Sequence, residues 1–161
     1  MVGSAGFPGT GGLSVTKALK SIAIAADHAG FALKAKLVDE LRDSGYEVRD
    51  LGTHDATTSV DYPDFGAAVA QAIASGEVER GVVVCGTGIG ISIAANRHAG
   101  VRAALCHDET SARLCREHND ANVLALGARL IGDVVAKDCL HAFLSTDFAG
   151  DRHVRRVAKL G

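Results

Sequence analysis

Gly81–Cys85 reads Gly-Val-Val-Val-Cys, with no polar alternation, and runs directly into Gly86-Thr87-Gly88-Ile89-Gly90. A strand without a polar face is covered on both sides, as in a parallel sheet layered between helices. The rest of the chain supplies those layers. Ser21–Ala26, Tyr46–Leu51, Val101–Cys106 and Val123–Leu126 read as further strands. Phe31–Ser44 carries Leu33, Leu37, Val38 and Leu41 at helical spacing, and Gly45 stops it. Phe65–Ala74, Ile91–Asn96, Thr110–Glu117, Val134–Leu144 and a polar Asp151–Leu160 read as the remaining helices. Strands alternating with helices call for right-handed crossovers. The predicted class is therefore α/β, a five-stranded parallel sheet with helices on both faces.

One domain is expected for 161 residues, and 47% hydrophobic residues are enough to fill one core. Residues 1–20 are Gly-rich with little to bury and read as a flexible leader, so the domain is predicted to span 21–161. A net charge of −2 gives no global case for nucleic acid. No apolar run is long enough to span a membrane, and no secretory signal is visible. Cys85, Cys106, Cys115 and Cys139 form no C-x-x-C pair, so neither a zinc site nor a disulfide framework is expected. Free thiols suit the cytoplasm. The basic stretch Arg152-His153-Val154-Arg155-Arg156 is, by composition alone, a solvated helix face.

Ligands of such sheets bind beyond the C-terminal strand ends. This selects Asp27-His28, Cys85–Gly90, His107-Asp108 and Gly127–Arg129. Within Cys85–Gly90, glycines allow a tight turn whose N–H groups lie near a ligand, and a helix start adds partial positive charge. The dinucleotide fingerprint fails because its third Gly comes one residue early. The phosphate-binding P-loop fails for want of Gly-Lys-Ser/Thr, and the cysteine-phosphatase loop fails because Ile91 stands where Arg is needed. What remains is a Cys at the mouth of a loop that stabilises negative charge on sulfur. A buried Cys ending a strand is the commoner situation. The Gly-rich turn directly behind Cys85 favours a working thiol, whereas Cys106, Cys115 and Cys139 read as small core residues.

Six segments then match one family in order and spacing. Asp27-His28-Ala29-Gly30, ending in Lys34, resembles its opening D-H-x-G-x-x-x-K. Asp61-Tyr62-Pro63 resembles its D-Y-P, and Cys85–Asn96 its C-G-T-G-I-G-x-S-I-A-A-N. His118-Asn119 through Val123-Leu124, Gly127-Ala128-Arg129, and Arg152-His153 with Arg156 resemble its later blocks. From Ser21 to the end, the chain resembles the type B ribose-5-phosphate isomerases, a family that includes galactose-6-phosphate isomerase subunits.

The resemblance implies a Rossmann-like αβα sandwich that forms a homodimer or a dimer of dimers, with sites shared between subunits and the C-terminal helix reaching a partner. It implies interconversion of ribose 5-phosphate and ribulose 5-phosphate through an enediolate, with no cofactor and no metal. Carried over by position, Cys85 is the base and His118 opens the sugar ring. Thr87 supports the loop and orients the thiol. The backbone of Gly86, Gly88, Ile89 and Gly90 holds the enediolate oxygens. Asp27, His28, Tyr62 and Asn119 bind the sugar phosphate, and Arg129, Arg152 and Arg156 chiefly its phosphate. On its own, His118 reads as a surface helix residue and Tyr62 as loop packing. His153 has no assigned role. Two other sugars, of four or six carbons, fit the same chemistry, and a nucleotide-binding module on a similar sheet is the rival from another class. A subunit active only beside a homologous partner is a third possibility.

Overall fold

The structure is a computed structural model that describes residues 20–161. The leader expected over residues 1–20 lies, except for Lys20, outside the described residues. In chain order the elements are β1 (Ser21–Ala26), α1 (Phe31–Asp43), β2 (Glu47–Asp50), α2 (Tyr62–Ala74), β3 (Arg80–Cys85) and α3 (Ile89–Ala95). Then follow β4 (Ala103–Leu105), α4 (Glu109–Asn119), β5 (Val123–Gly127), α5 (Asp133–Ser145) and α6 (Arg152–Val157). All strand pairings are parallel, in the order β2-β1-β3-β5-β4.

The period-two side-chain alternation of β3 builds two cores. Val82 and Val84 join Leu37 and Leu41 of α1, Cys115 of α4, and Leu140 and Phe143 of α5 on one face. Val83 and Cys85 join Val69 of α2 and Ile91 of α3 on the other. The five-stranded αβα architecture is as predicted. Deleting a fully buried leucine such as Leu37 or Leu124 to alanine would cost about 2–5 kcal/mol.

Several boundaries differ from the sequence expectation. α2 starts at Tyr62 rather than Phe65, because Asp61 sits at the N-cap position and Pro63 in the first turn, where its missing N–H is harmless. β4 is only three residues long, and α6 ends at Val157 rather than Leu160. β4 is an edge strand. The Asn96 amide closes part of that edge by donating to Ala103 O at 2.9 Å and accepting from Ala103 N at 2.7 Å.

The strand order sets the site. β1 lies between β2 and β3, so the chain leaves β1 toward one edge and β3 toward the other. The loops diverge and leave a crevice at the C-terminal ends of these two strands. Asp27-His28 and Cys85–Gly90 flank it.

Candidate active site

A cavity of about 520 Å³ occupies this crevice, lined by Asp27, His28, Tyr62, Cys85, Gly86, Thr87, Ile89, Gly90 and Arg129. Nine of the predicted site residues thus come together. Ala29 and Ile93 also line it, and neither was selected from the sequence. Ile93 was legible in principle: Ile89 and Ile93 are one helical turn apart on α3, opposite the buried Ile91.

Cys85 ends β3 and is 4% exposed. Its Sγ accepts a hydrogen bond from the Gly88 N–H at 3.1 Å. The Thr87 hydroxyl makes no bond to the thiol; its Oγ1 accepts from Ile89 N at 3.3 Å and so braces the turn. The Gly88 and Ile89 amides are therefore spoken for within the loop. The N–H groups of Gly86, Thr87 and Gly90 have no acceptor among the described residues and remain available to a ligand oxygen.

Two glycines make the turn possible. Gly88 has φ +75°, and a Cβ there would lie 2.8 Å from the Leu126 carbonyl carbon. A Cβ on Gly90 would fall 2.5 Å from the Tyr62 ring, so Tyr62 packs directly against this backbone at the cavity wall. Across the cavity, Ala128 N donates to Cys85 O and Arg129 N to Gly86 O, both at 2.9 Å. These bonds zip the end of β5 to the loop after β3 and lay the Arg129 guanidinium against Gly86. Asp27 is buried and accepts from Gly30 N at 3.0 Å. His28 Nδ1 accepts from Val60 N at 3.1 Å.

Gly88 sits within this loop without lining the cavity, and the other four predicted residues lie elsewhere. His118 and Asn119 end α4, a helix of about 16 Å that starts at the sheet's C-terminal edge and returns to its N-terminal edge. A separate cavity of about 300 Å³ there is lined by His118, Asn119, His153, Arg156, Val157 and Leu160. It shares no lining residue with the Cys85 cavity. Ala149 N donates to Glu117 O at 3.1 Å, pinning the C-terminal segment to the end of α4. His153 is buried against His118, so α6 does pack on its own chain despite its polar sequence, while Arg152 and Arg156 stay exposed. Burial, with Arg152, His118 and Arg156 nearby, holds the His153 imidazole below its ordinary value. His107 lines neither cavity.

Among the described residues, no group of three His, Cys, Asp or Glu side chains is placed to hold a metal, and no helix is long and apolar enough to cross a membrane. Cys106, Cys115 and Cys139 are buried and free, and burial pushes the Cys139 thiol up to about 12.

Residues 22–160 match the family model for ribose/galactose isomerases. The chain belongs to that family. It is 48% identical to ribose-5-phosphate isomerase B of Escherichia coli over 139 residues, 86% of this chain and 93% of that protein. It is 43% identical to D-erythrulose-4-phosphate isomerase of Pectobacterium atrosepticum over 141 residues, 88% of this chain and 93% of that one. Its fold superposes on ribose-5-phosphate isomerase B of Clostridium thermocellum with a TM-score of 0.86 and 54% identity, covering 88% of this chain and 95% of the other. As a member of the ribose/galactose isomerases, the chain is an isomerase. The αβα sandwich is the fold of its solved relatives.

Proposed function

We propose that the protein interconverts ribose 5-phosphate and ribulose 5-phosphate, with Cys85 as the base. The observation that carries this is the Cys85 thiol held at 3.1 Å by the Gly88 N–H on the floor of the β1–β3 crevice. In the open-chain sugar, a C–H beside a carbonyl is a weak acid. Its removal needs a base and a way to hold charge on the enediolate oxygens. The Cys85 thiolate takes the proton from C2 of the aldose, and the available Gly86, Thr87 and Gly90 amides face the developing oxygen charge. The O2 hydroxyl proton passes to O1, which leaves the negative charge on O2, and the resulting thiol returns a proton to C1 as the C2 carbonyl forms, giving the ketose. Arg129 lies beside this loop, and Asp27 and His28 close the β1 side.

Of the residues expected to open the ring and grip the phosphate, this cavity holds only Arg129. His118, Asn119, Arg152 and Arg156 are at the far edge of the same subunit. We propose that they complete the Cys85 cavity of a second copy in a homodimer, His118 protonating the ring oxygen and the arginines gripping the phosphate. Exposed Ile93 and Tyr62 at the cavity rim support a covered surface there. The four free, buried thiols support a reducing, cytoplasmic setting.

A second reading keeps the chemistry and shortens the sugar: the 43% identical erythrulose-phosphate enzyme supports a four-carbon substrate. Measuring kcat/KM of the purified chain on four-, five- and six-carbon sugar phosphates tests both. Highest efficiency on ribose 5-phosphate is the expected result. A preference of tenfold or more, about 1.4 kcal/mol, for another length would replace that substrate. Turnover by the chain alone would also exclude an obligate mixed pair.

A further inference from the structure

Lys34 is 1% exposed, yet nothing in the chemistry above uses its ammonium. It points from α1 into the loop after β2. Its Nζ donates to Asp50 Oδ1 at 2.5 Å and to Thr53 O at 2.7 Å, and lies 5.6 Å from the Phe31 ring centroid. A charge buried this completely persists only where partners are fixed around it. Here the partners are the loop itself. Asp50 Oδ1 also accepts from Gly52 N at 3.0 Å, and Thr53 N donates to Ala26 O at 2.7 Å. The loop is thereby fastened to the last residue of β1, one position before Asp27.

From that anchor the chain turns about Asp55. The Asp55 carboxylate accepts from Thr57 N at 2.8 Å and Thr58 N at 3.0 Å, and from both threonine hydroxyls. The segment then delivers the Val60 N–H to His28 Nδ1 at 3.1 Å. A backbone N–H can only donate, so Nδ1 must be the acceptor and carry no proton. In the neutral ring the proton therefore sits on Nε2, which has no partner among the described residues, and His28 lines the Cys85 cavity.

We infer that Lys34 and Asp55 are positioning residues: through the 50–60 loop they fix His28 as the Nε2–H tautomer, so that it presents a hydrogen-bond donor to an oxygen of the bound sugar phosphate. Lys34 does so at the root of the loop and Asp55 at its bend. A ring free to exchange tautomers would offer an acceptor to the same oxygen part of the time and would rotate away from it. The donor role rests on the sugar-phosphate reading. The tautomer itself does not.

The test uses ¹⁵N-histidine labelling of the intact protein above pH 8, where an exposed imidazole is neutral, together with steady-state kinetics. Long-range ¹⁵N–¹H correlations assign the His28 tautomer by its loss in His28→Asn. The wild-type ring is expected to be protonated on Nε2 with a single sharp pattern. Lys34→Met removes the ammonium at similar volume, and Asp55→Ala removes the turn at a half-buried surface site. Each should give a mixed tautomer pattern and raise KM roughly five- to tenfold, the effect of loosening one substrate hydrogen bond, with kcat within about twofold. Asp55→Asn, which keeps one acceptor oxygen, should restore most of the wild-type pattern and KM. Lys34→Met is the variant at risk of not folding; in that event Asp55→Ala and the wild-type spectrum decide. A wild-type His28 protonated on Nδ1, or a folded Asp55→Ala with unchanged tautomer and KM, would overturn the inference. Because the spectrum needs no substrate, its outcome is independent of whether ribose 5-phosphate is turned over.

Discussion

His118 and His153 stack face to face, with ring centroids 4.5 Å apart and planes inclined by 14°. The stack joins the last turn of α4 to the first turn of α6, and it holds the residue proposed as ring opener against the helix that carries Arg152 and Arg156. Its electrostatics set a pH dependence. The folded His153 imidazole is held below its ordinary value, first by burial and then by the positive charge of Arg152, His118 and Arg156. The unfolded chain therefore takes up this proton at higher pH than the folded one. The associated stability is fully present above the unfolded value of about 6.5 and is lost as pH falls through the lowered folded value. Thermal melts between pH 8 and pH 5 should show Tm falling on the acid side. His153→Gln, which cannot titrate, should flatten that slope. An identical slope in the variant would assign the acid sensitivity to other groups.

Cys85→Ala should lower kcat by about 10²–10⁴-fold or more while leaving binding of ribose 5-phosphate nearly unchanged, because a base acts on the transition state and not on ground-state grip. Calorimetric titration of the variant with substrate separates the two. Loss of binding in parallel with loss of turnover would make Cys85 a contact residue and remove the base from the proposal.

The two loop glycines should fail differently. Gly88→Ala forces a side chain into a left-handed conformation, about 1–2 kcal/mol by itself, and against the Leu126 backbone, which cannot retreat. It should lower both Tm and kcat, since the Gly88 N–H also holds the Cys85 sulfur. Gly90→Ala meets the Tyr62 ring, a partly exposed side chain that can swing aside. It should fold nearly normally and raise KM by displacing the cavity wall. Equal losses of Tm in the two variants would contradict this division.

The residues show where sequence alone carries far and where it stops. The unalternating Gly81–Cys85 run, with Leu33, Leu37 and Leu41 at helical spacing, was enough for the layered sheet, because burial on both faces leaves its mark in composition. The position of β5 between β3 and β4 left no such mark: strand order depends on which face each crossover takes, and every inner strand is equally apolar. The Cys85 loop was legible from its own chemistry. The link from Lys34 through Asp50 and Thr53 was not, because a lysine at this spacing on α1 looks like an ordinary solvated helix residue until the loop folds over it. The Val60 N–H on His28 was invisible for a further reason, being a backbone contact 32 residues away. His153 matches a family block but had no role assigned within its basic stretch, and its burial appears only once α6 lies on α4.

The division of site residues between two cavities leads to a complementation experiment. Cys85 lies at the C-terminal edge of the sheet, and His118, Asn119 and Arg156 surround a cavity at the N-terminal edge. If one substrate needs both sets, two subunits must be arranged so that each brings its α4–α6 end to the other's Cys85 loop. A chain carrying Cys85→Ala then keeps good arginines, and a chain carrying Arg152→Ala with Arg156→Ala keeps a good thiol. Each homodimer should be inactive. In a mixed dimer, one of the two sites combines the intact Cys85 loop with the intact arginines, and the other combines both lesions. Two-fold symmetry therefore caps recovery at about half the sites in each mixed dimer, or about a quarter of wild-type activity in a random equimolar mixture where half the dimers are mixed. Subunit exchange is followed independently by native mass spectrometry, using the mass difference between the two chains. Recovery that rises with the mixed-dimer fraction is the expected outcome. Proven exchange without recovered turnover would place Arg152 and Arg156 in their own chain's site or outside any site.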